Sequence, residues 1–449
     1  MKAGLSAKPF PVACGGDLYL DRNRGEESET MDTKAGPTEE TKPYPLLRNL
    51  QYSPIKQEEE QYILLWDPTG LSAEKLIVPL NYFYLFQFFD GEHSLQQIGG
   101  KYLKKYGEFL MPDRLSRLVE DLEDKLFLEG ERCEQAKASA LAAYREAPVR
   151  PADFAGKSYE ADSEKLRAQL DGFFGSKEGP GTVPSQNKGQ KIKAIVAPNF
   201  ELKQAGPLYA WAYKELREAE APSVFVVLGT CHAGLHGGIA VTDKDFETPF
   251  GIVPANRPIL EYFKQHGGAQ FFEEEIRHQH DPSIEFQLPF LQHTVGSLKP
   301  MTIVPVLCAF PVLAFTDPEL KPLADRVEAF VGIMQEALHA LGQEVCVVAS
   351  ANLAHIGLRY GDRTPPTDFS FHRCMQHDLE MLKHVENLDP EAFAQYLLKE
   401  GDKRHVLGFS PIYLMLKLIQ AEKGEVLRYD RGIIDQFNST VTYASMAFF

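Results

Sequence analysis

Runs of branched apolar residues, each long enough to form a strand buried on both faces, most limit what this chain can fold into. The clearest are VFVVLG, which ends at Gly229, and VCVVAS, which ends at Ser350. A strand that is apolar on both faces belongs inside a sheet covered by helices on both sides, as in the parallel sheets of α/β proteins. The chain is therefore predicted to contain an α/β domain with a mainly parallel sheet flanked by helices.

Alternating strands and helices support this prediction over the second half of the chain. Ligands of such folds bind beyond the carboxyl ends of the strands, which is where a functional site is expected. The predicted strands are residues 193–197, 223–229, 238–241, 301–307 and 344–350, and the predicted helices are 207–218, 258–266, 283–293 and 323–341.

Size and charge limit the class of protein. At roughly 150 residues per domain, the 449 residues leave room for two or three domains. The net charge of -16 repels phosphates, so nucleic acid is not an expected partner. We find no run of about 18 apolar residues and no signal-peptide core, so we expect a cytoplasmic protein that does not bind membranes. The six cysteines lack CxxC spacing and are expected to be reduced.

The first part of the chain is organised differently. Residues 1–45 mix Gly, Pro, Glu, Thr and Lys without an apolar period and are predicted to be a flexible tail. Residues 46–135 combine a strand at 62–66 with three short helices, the second of them capped by Ser94, which describes a winged helix. Residues 136–150 are predicted to form a linking helix before an α/β domain at 145–449.

Within residues 46–135, the segment FFDGEHSLQQIGGKYLKKYG is followed by a leucine-spaced helix and the ending Leu-Phe-Leu-Glu-Gly. This region resembles the PqqD-like family of peptide-binding winged-helix domains, which implies a peptide or protein partner. The basic residues Lys101, Lys104 and Lys105 face a larger number of acidic ones, so DNA is not the expected partner. The alternative is a packing domain without a ligand, since any small helical domain needs a turn and a capped helix.

Histidines follow two of the predicted core strands. His232 comes directly after residues 223–229 in a glycine-flanked turn, and His355 follows residues 344–350. A histidine at such a strand end is a candidate for acid–base chemistry or ligand binding, so we assign both a functional role. Asn199 follows the first strand in the same way. His278 and His280 lie in a charged loop and are expected to be a solvated surface pair.

Several ordered motifs carry a second resemblance: APNFELKQAGPLYAWAYKEL, VFVVLGTCHAG, HDPSIEFQLPFLQ, TIVPVLCAF, VVASANLAHIG and STVTYASMAF. They occur in the order and spacing of the Memo family, and the match covers residues 145–449. The resemblance implies the fold of class III extradiol dioxygenases and the AmmeMemoRadiSam system protein B type. It also implies a shared modification pathway with a radical SAM enzyme and an AMMECR-type protein.

The Memo pattern also implies a metal site, and this chain keeps only part of the implied ligand set. The pattern has a metal-binding His where this chain has Asn199, a second His that is kept as His232, and a Cys where this chain has Leu407. One of three implied ligands is thus retained. Outside the ligands, Pro282 replaces a His and Asn352 an Asp, whereas His355 is kept. The residues predicted to line the pocket are Asn199, His232, Glu285, Gln287, Asn352, His355 and Leu407.

Three hypotheses follow from these residues. The first is a non-catalytic domain that binds a peptide, a small ligand or a partner protein, because a metal site with open positions usually needs about three protein ligands. The second is an iron- or copper-dependent redox enzyme whose ligands are rebuilt from Cys231, His232, His355, Asp281 and either His278 or His280. The third makes Cys231 a nucleophile with His355 as its base. The cofactor is accordingly none, or iron or copper.

Overall fold

The structure, a computed structural model, describes residues 44–57 and 60–449. These residues fall into two compact units that divide between residues 142 and 143. The predicted tail at residues 1–45 lies outside the described residues except for Tyr44 and Pro45.

The N-terminal unit begins with an antiparallel sheet in the order β1-β2-β3, followed by short helices packed around Leu85, Ile98 and Leu122. The first of the three predicted helices is one short α-helical turn, Leu80–Phe83, that continues as a 3-10 turn over Tyr84–Phe88. Ser94 caps α2 in a reciprocal capping box with Gln97, as predicted. The elements are β1 (Gln51–Gln57), β2 (Glu60–Trp66), β3 (Lys75–Pro79), α1 (Leu80–Phe83), α2 (Leu95–Tyr106), α3 (Pro112–Asp124) and α4 (Glu131–Glu146), whose last four residues belong to the C-terminal unit.

The linking helix starts earlier and ends earlier than the predicted range 136–150. It is α4, Glu131–Glu146, and Val149–Arg150 form a short strand instead. Pro148 explains the end of the helix, because the residue before a proline is pushed out of the α-helical conformation.

The C-terminal unit contains the remaining elements. Its strands are β4 (Val149–Arg150), β5 (Ala194–Ala197), β6 (Val224–Thr230), β7 (Ile239–Val241), β8 (Asp245–Thr248), β9 (Gly251–Val253), β10 (Thr302–Cys308), β11 (Val345–Ser350), β12 (His355–Ile356), β13 (Gly424–Ile433) and β14 (Thr440–Phe448). Its helices are α5 (Ser163–Gly175), α6 (Leu202–Glu218), α7 (Arg257–Gln265), α8 (Pro282–Glu285), α9 (Leu288–Leu291), α10 (Lys321–Ala340), α11 (Asp368–Glu386), α12 (Pro390–Glu400) and α13 (Phe409–Leu418).

An eight-stranded mixed sheet forms the centre of this unit and confirms the predicted α/β class. Its order is β12-β14-β5-β11-β6-β10-β7, and β13 pairs with β14. The pairs β5-β11, β11-β6 and β6-β10 are parallel, while β7, β12, β13 and β14 pair antiparallel at the flanks. The short connection between β13 and β14 requires antiparallel pairing, because parallel neighbours need a long crossover. The parallel part therefore comprises the four central strands.

Helices cover both faces of the sheet, as expected for strands that are apolar on both sides. The core on one face includes Phe263 from α7 and Phe330 from α10, and the core on the other includes Leu170 from α5 and Tyr213 from α6. No helix among the described residues is long and apolar enough to span a bilayer.

The predicted helix at 283–293 is three short pieces: α8, α9 and a π-helical turn, Gln292–Gly296. Pro289 is the reason, since a proline ring clashes with the carbonyl four residues earlier and supplies no N–H. That carbonyl belongs to Glu285, the last residue of α8.

Candidate functional site

The carboxyl ends of β5, β11 and β6 bring three predicted pocket residues to one edge of the sheet. Ala197 pairs with Ser350, and Ser350 pairs with Gly229, so the three strands end at the same level. Asn199 follows β5, Asn352 follows β11 and His232 follows β6, each by two residues. Neighbouring parallel strands of equal register therefore place these side chains together.

Asn199 is buried and contacts both other residues. Its side-chain Nδ2 lies 3.4 Å from Nε2 of His232. Its backbone N–H donates to Oδ1 of Asn352 at 3.1 Å, and Nδ2 of Asn352 donates to its carbonyl at 2.6 Å. The side-chain Oδ1 of Asn199 is buried and has no hydrogen-bond partner among the described residues. One polar atom of this amide is thus left for a group that the protein itself does not supply.

His232 is held from its other side by Asp281. The His232 backbone N–H donates to Oδ2 of Asp281 at 3.2 Å, and ring Nδ1 lies 3.6 Å from the same oxygen. The ring therefore lies between the side-chain amide of Asn199, next to Nε2, and the carboxylate of Asp281, next to Nδ1. The side chain is 31% exposed, so the imidazole is the accessible part of the site.

Asp281 also caps α8, where its Oδ1 accepts from the backbone N–H of Ser283 at 2.9 Å. Burial acts to raise the pKa of Asp281, but the hydrogen bond and charge of His232, with the hydrogen bonds from Ser283, hold it below its ordinary value. Asp281 is therefore a carboxylate that orients His232. The sequence had pointed to Asp281 only as a ligand of a rebuilt metal site.

His355 lies in the same region but is buried. Its Nδ1 lies 3.0 Å from the carbonyl of Leu353 and 2.9 Å from that of His405, so this nitrogen carries the proton. Burial, with the nearby charge of His232, lowers the pKa of His355 to about 3, although the hydrogen bond to the His405 carbonyl opposes this. The ring is therefore neutral at pH 7. Its Nδ1 proton bonds to the carbonyls of Leu353 and His405 and so holds these two segments together.

Leu407 is positioned beside Asn352 by the glycine that follows it. A Cβ on Gly408 would lie 2.1 Å from the carbonyl oxygen of Asn352, so only glycine permits this approach. The half-buried Leu407 side chain offers no ligand atom.

Glu285 is fully buried in a separate polar cluster. It forms an ion pair with Arg150, accepts from the hydroxyl of Tyr159 at 2.5 Å, and accepts from the backbone N–H of Phe154 at 2.8 Å. Arg150 also donates to the carbonyls of His278 and Asp281, both at 3.0 Å. The cluster fixes the segment that carries Asp281. Arg150 was given no role from the sequence, because nothing local relates it to a partner 135 residues away.

Gln287 lies beneath the site and is also fully buried. Its Nε2 donates to the carbonyl of Pro198 at 2.8 Å and to Oγ of Ser350 at 2.7 Å, and its Oε1 accepts from the hydroxyl of Tyr213. It therefore braces the ends of β5 and β11.

Cys231 lies next to His232 in sequence but is buried. Its Sγ donates to the carbonyl of Gly234 at 3.6 Å. Burial, and next the charge of Asp281, raise the pKa of the Cys231 thiol well above its usual range. A buried, protonated thiol is a poor nucleophile, which weakens the third hypothesis.

The expectation that His278 and His280 form a solvated pair is wrong for His278. His278 is buried, its Nε2 lies 3.1 Å from the carbonyl of Ala240, and burial lowers its pKa to about 4. The 3-10 turn Glu275–His278 carries its ring inward, which charge composition does not reveal. His280 is half-exposed and pairs with Asp153.

The three positions implied as metal ligands do not fit an iron or copper ion, because only His232 carries an imidazole, thiolate or carboxylate. Among the described residues, one group of three His, Cys, Asp or Glu has its ligand atoms within 4.8 Å of one another: Glu129, Cys133 and Glu134 in the N-terminal unit. Lys137 donates to both of these glutamates, at 2.6 and 2.8 Å, and so already compensates part of their negative charge.

Comparison with known proteins identifies the family. Residues 150–447 match the family model described as Memo-like protein. A MEMO1 family protein of Methanopyrus kandleri is 28% identical over 301 residues, which is 66% of this chain and 96% of that protein. A MEMO1 family protein of Aquifex aeolicus is 20% identical over 85% of this chain and 95% of its own length. One from Thermotoga petrophila is 30% identical over 55% of this chain and 80% of its own. The chain therefore belongs to the Memo-like protein family.

Proposed function

We propose that the Memo-like domain of this chain is a non-catalytic binding domain whose inherited metal site is now a hydrogen-bonding site. The observation that carries the proposal is the position of Asn199. Its side-chain amide faces His232. The Memo pattern has a metal-binding His at position 199, and a neutral amide is a weak metal ligand. With Leu407 at the third position, one imidazole is left to bind a metal.

The same groups suit recognition of a polar group on a peptide, a small ligand or a partner protein. The backbone of Asn199 is held by Asn352, and the His232 ring is oriented by Asp281 and partly exposed. Side chains that are already oriented lose little conformational freedom when a ligand binds. By resemblance, the partners are a radical SAM enzyme and an AMMECR-type protein in a cytoplasmic modification pathway.

The N-terminal unit is proposed to be a PqqD-like winged-helix domain that recognises a peptide. Exposed apolar side chains at Leu103, Phe109 and Met111, which lie within nine residues of the sequence, support a docking role, since exposed apolar surface often marks interaction sites. We expect peptides encoded by neighbouring genes to bind the full chain, as measured by fluorescence anisotropy. The variant Phe109→Ser should lower the affinity of these peptides. If no such peptide binds, the unit has only a packing role.

A metal-dependent redox enzyme is the second candidate. The observation that favours it is the pair His232 and Asp281, whose ligand atoms lie 3.6 Å apart and are of types that bind iron or copper. This candidate requires a further ligand to move toward that pair.

Metal analysis separates the two candidates. The full-length protein and the variant Asn199→His/Leu407→Cys are each reconstituted with iron, copper and zinc, and bound metal is measured after desalting. We expect much less than one equivalent in the parent and close to one in the variant, because three ligands are then present. Adding His232→Ala to the variant should remove the metal again.

Two further measurements make the result decisive. Adding Cys133→Ser to each protein and measuring the bound metal again shows how much metal is held by Glu129, Cys133 and Glu134. Near-stoichiometric metal in the parent that is lost on His232→Ala would contradict the binding-domain proposal and support the enzyme.

A further inference from the structure

A second concave site lies at the other end of the sheet. It is a cleft of about 400 Å³ whose wall includes β9 and the loop that leads into β10. Met301, which lines it, precedes the amino end of β10, whereas Cys308 at the carboxyl end pairs with Thr230 beside His232. The cleft is therefore separate from the candidate site described above, and its volume falls within the range of small-molecule sites, about 300–1,000 Å³.

One side of this cleft is apolar. Phe250 gives it an aromatic side chain, and Ile252 on β9 is about half exposed. Val253, Pro254, Pro300 and Met301 complete this surface. A flat hydrocarbon body would lose water against these side chains on binding.

Two cations, Arg167 and Lys299, line the same cleft. The Arg167 guanidinium lies 5.3 Å from the centre of the Phe250 ring, and Nζ of Lys299 bonds to the carbonyl of Ala221. In the described part of the chain, neither cation has a carboxylate within ion-pair distance. Asp171, one helical turn after Arg167, is instead engaged by Nε2 of His293 at 2.9 Å. In a chain of net charge -16, two cations without a carboxylate partner beside an apolar wall favour an anionic ligand.

The backbone of the cleft supplies an independent indication. The π-helical turn Gln292–Gly296 contributes Gln292, His293 and Gly296 to its lining. Such turns are rare and occur frequently at functional sites. This one is fixed by hydrogen bonds from Thr248 to Gln292 and from Ser297 to the His293 carbonyl.

We propose that this cleft binds a small organic anion with a flat apolar body, of the class of aromatic carboxylates. Arg167 and Lys299 contact the carboxylate, for which the planar guanidinium is the better-matched partner. The aromatic body packs against Phe250, Ile252 and Met301.

The probes for the test are 1-naphthoate and its neutral amide, 1-naphthamide, titrated into the full chain and followed by ligand-observed NMR. The proposal requires naphthoate to bind and naphthamide to bind at least about tenfold more weakly, a difference of about 1.4 kcal/mol. Equal affinity for the two probes, or no binding of naphthoate, would overturn it.

Two variants locate the binding. Arg167→Gln/Lys299→Gln should weaken naphthoate at least about tenfold, whereas Lys191→Gln/Arg428→Gln, which removes two exposed cations elsewhere on the same unit, should not. Ser297→Trp, at an exposed position on the rim, should block both probes without changing charge. If Ser297→Trp leaves naphthoate binding unchanged, or if both cation variants weaken it equally, the cleft is not the site.

Discussion

Asn199 and Asn352 hold each other through two hydrogen bonds, one in each direction, between the ends of β5 and β11. Oδ1 of Asn352 accepts from the backbone N–H of Asn199 at 3.1 Å, and Nδ2 of Asn352 donates to the carbonyl of Asn199 at 2.6 Å. The amide of Asn352 uses both its donor and its acceptor, which a carboxylate cannot do. An asparagine at position 352 therefore fixes the backbone that presents Asn199 to His232.

Asn352→Asp should destabilise the protein by about 1–3 kcal/mol at pH 7, because it replaces a buried donor by a carboxylate oxygen that faces a carbonyl. The folded-state pKa of the new carboxyl should be raised, so the loss is largest above that pKa and shrinks as the acid becomes protonated. Urea unfolding followed by circular dichroism at pH 7 and pH 5 measures this. Asn438→Asp, at an exposed position, is the matched control. Equal stability of the Asn352 variant and the control would disprove the assigned role.

Arg150→Met should lower the free energy of unfolding by about 3–5 kcal/mol, because Glu285 is then left as an unpaired charge in the interior. Arg150→Met/Glu285→Leu should recover a large part of this loss, since it removes both charges. Chemical denaturation of the two single variants and the double variant completes the cycle. A double variant as unstable as the sum of the single ones would mean that the two side chains do not interact.

Cys231 should react with iodoacetamide at least about tenfold more slowly in the native protein than in the denatured chain at pH 7, because burial raises the pKa of its thiol. Reaction rates are measured by peptide mass spectrometry. The variant His355→Ala should not slow the reaction further. If native Cys231 is alkylated faster than the denatured thiol, and His355→Ala slows this alkylation, the nucleophile hypothesis is restored.

His278 should make the protein less stable in acid. Burial lowers its pKa to about 4, whereas the unfolded chain has the ordinary value of 6.5. Between these values the unfolded state binds a proton that the folded state does not, so stability falls as pH falls from 6.5 to 4. From pH 7 to pH 4.5 this contribution is about 2–3 kcal/mol.

The variant His278→Gln should remove this part of the pH dependence, because glutamine retains a donor for the Ala240 carbonyl and does not titrate. Urea unfolding of the variant at pH 7 and pH 4.5 is compared with that of His266→Gln, an exposed histidine. If both variants lose stability toward acid as steeply as the parent, His278 is not the group responsible.

The pattern of apolar runs by itself determined the α/β class, the central strands β5, β6 and β11, and the positions of His232 and Asn199 at their ends. It could do so because burial on both faces of a strand leaves a direct record in composition. The residue types at 199, 352 and 407 likewise show in the sequence which ligating groups are absent from the Memo pattern.

Only the tertiary structure decided which polar groups meet. Arg150 pairs with Glu285 and Asp281 orients His232, yet these partners are distant in sequence and their proximity depends on the chain path between them. The burial of His278 was likewise decided by the chain path around it. The antiparallel pairing of β13 and β14 was also decided by the structure, because hydrogen-bond geometry rather than composition selects how strands pair. The sequence thus specified the framework and its chemistry, and the packing of distant segments specified the site.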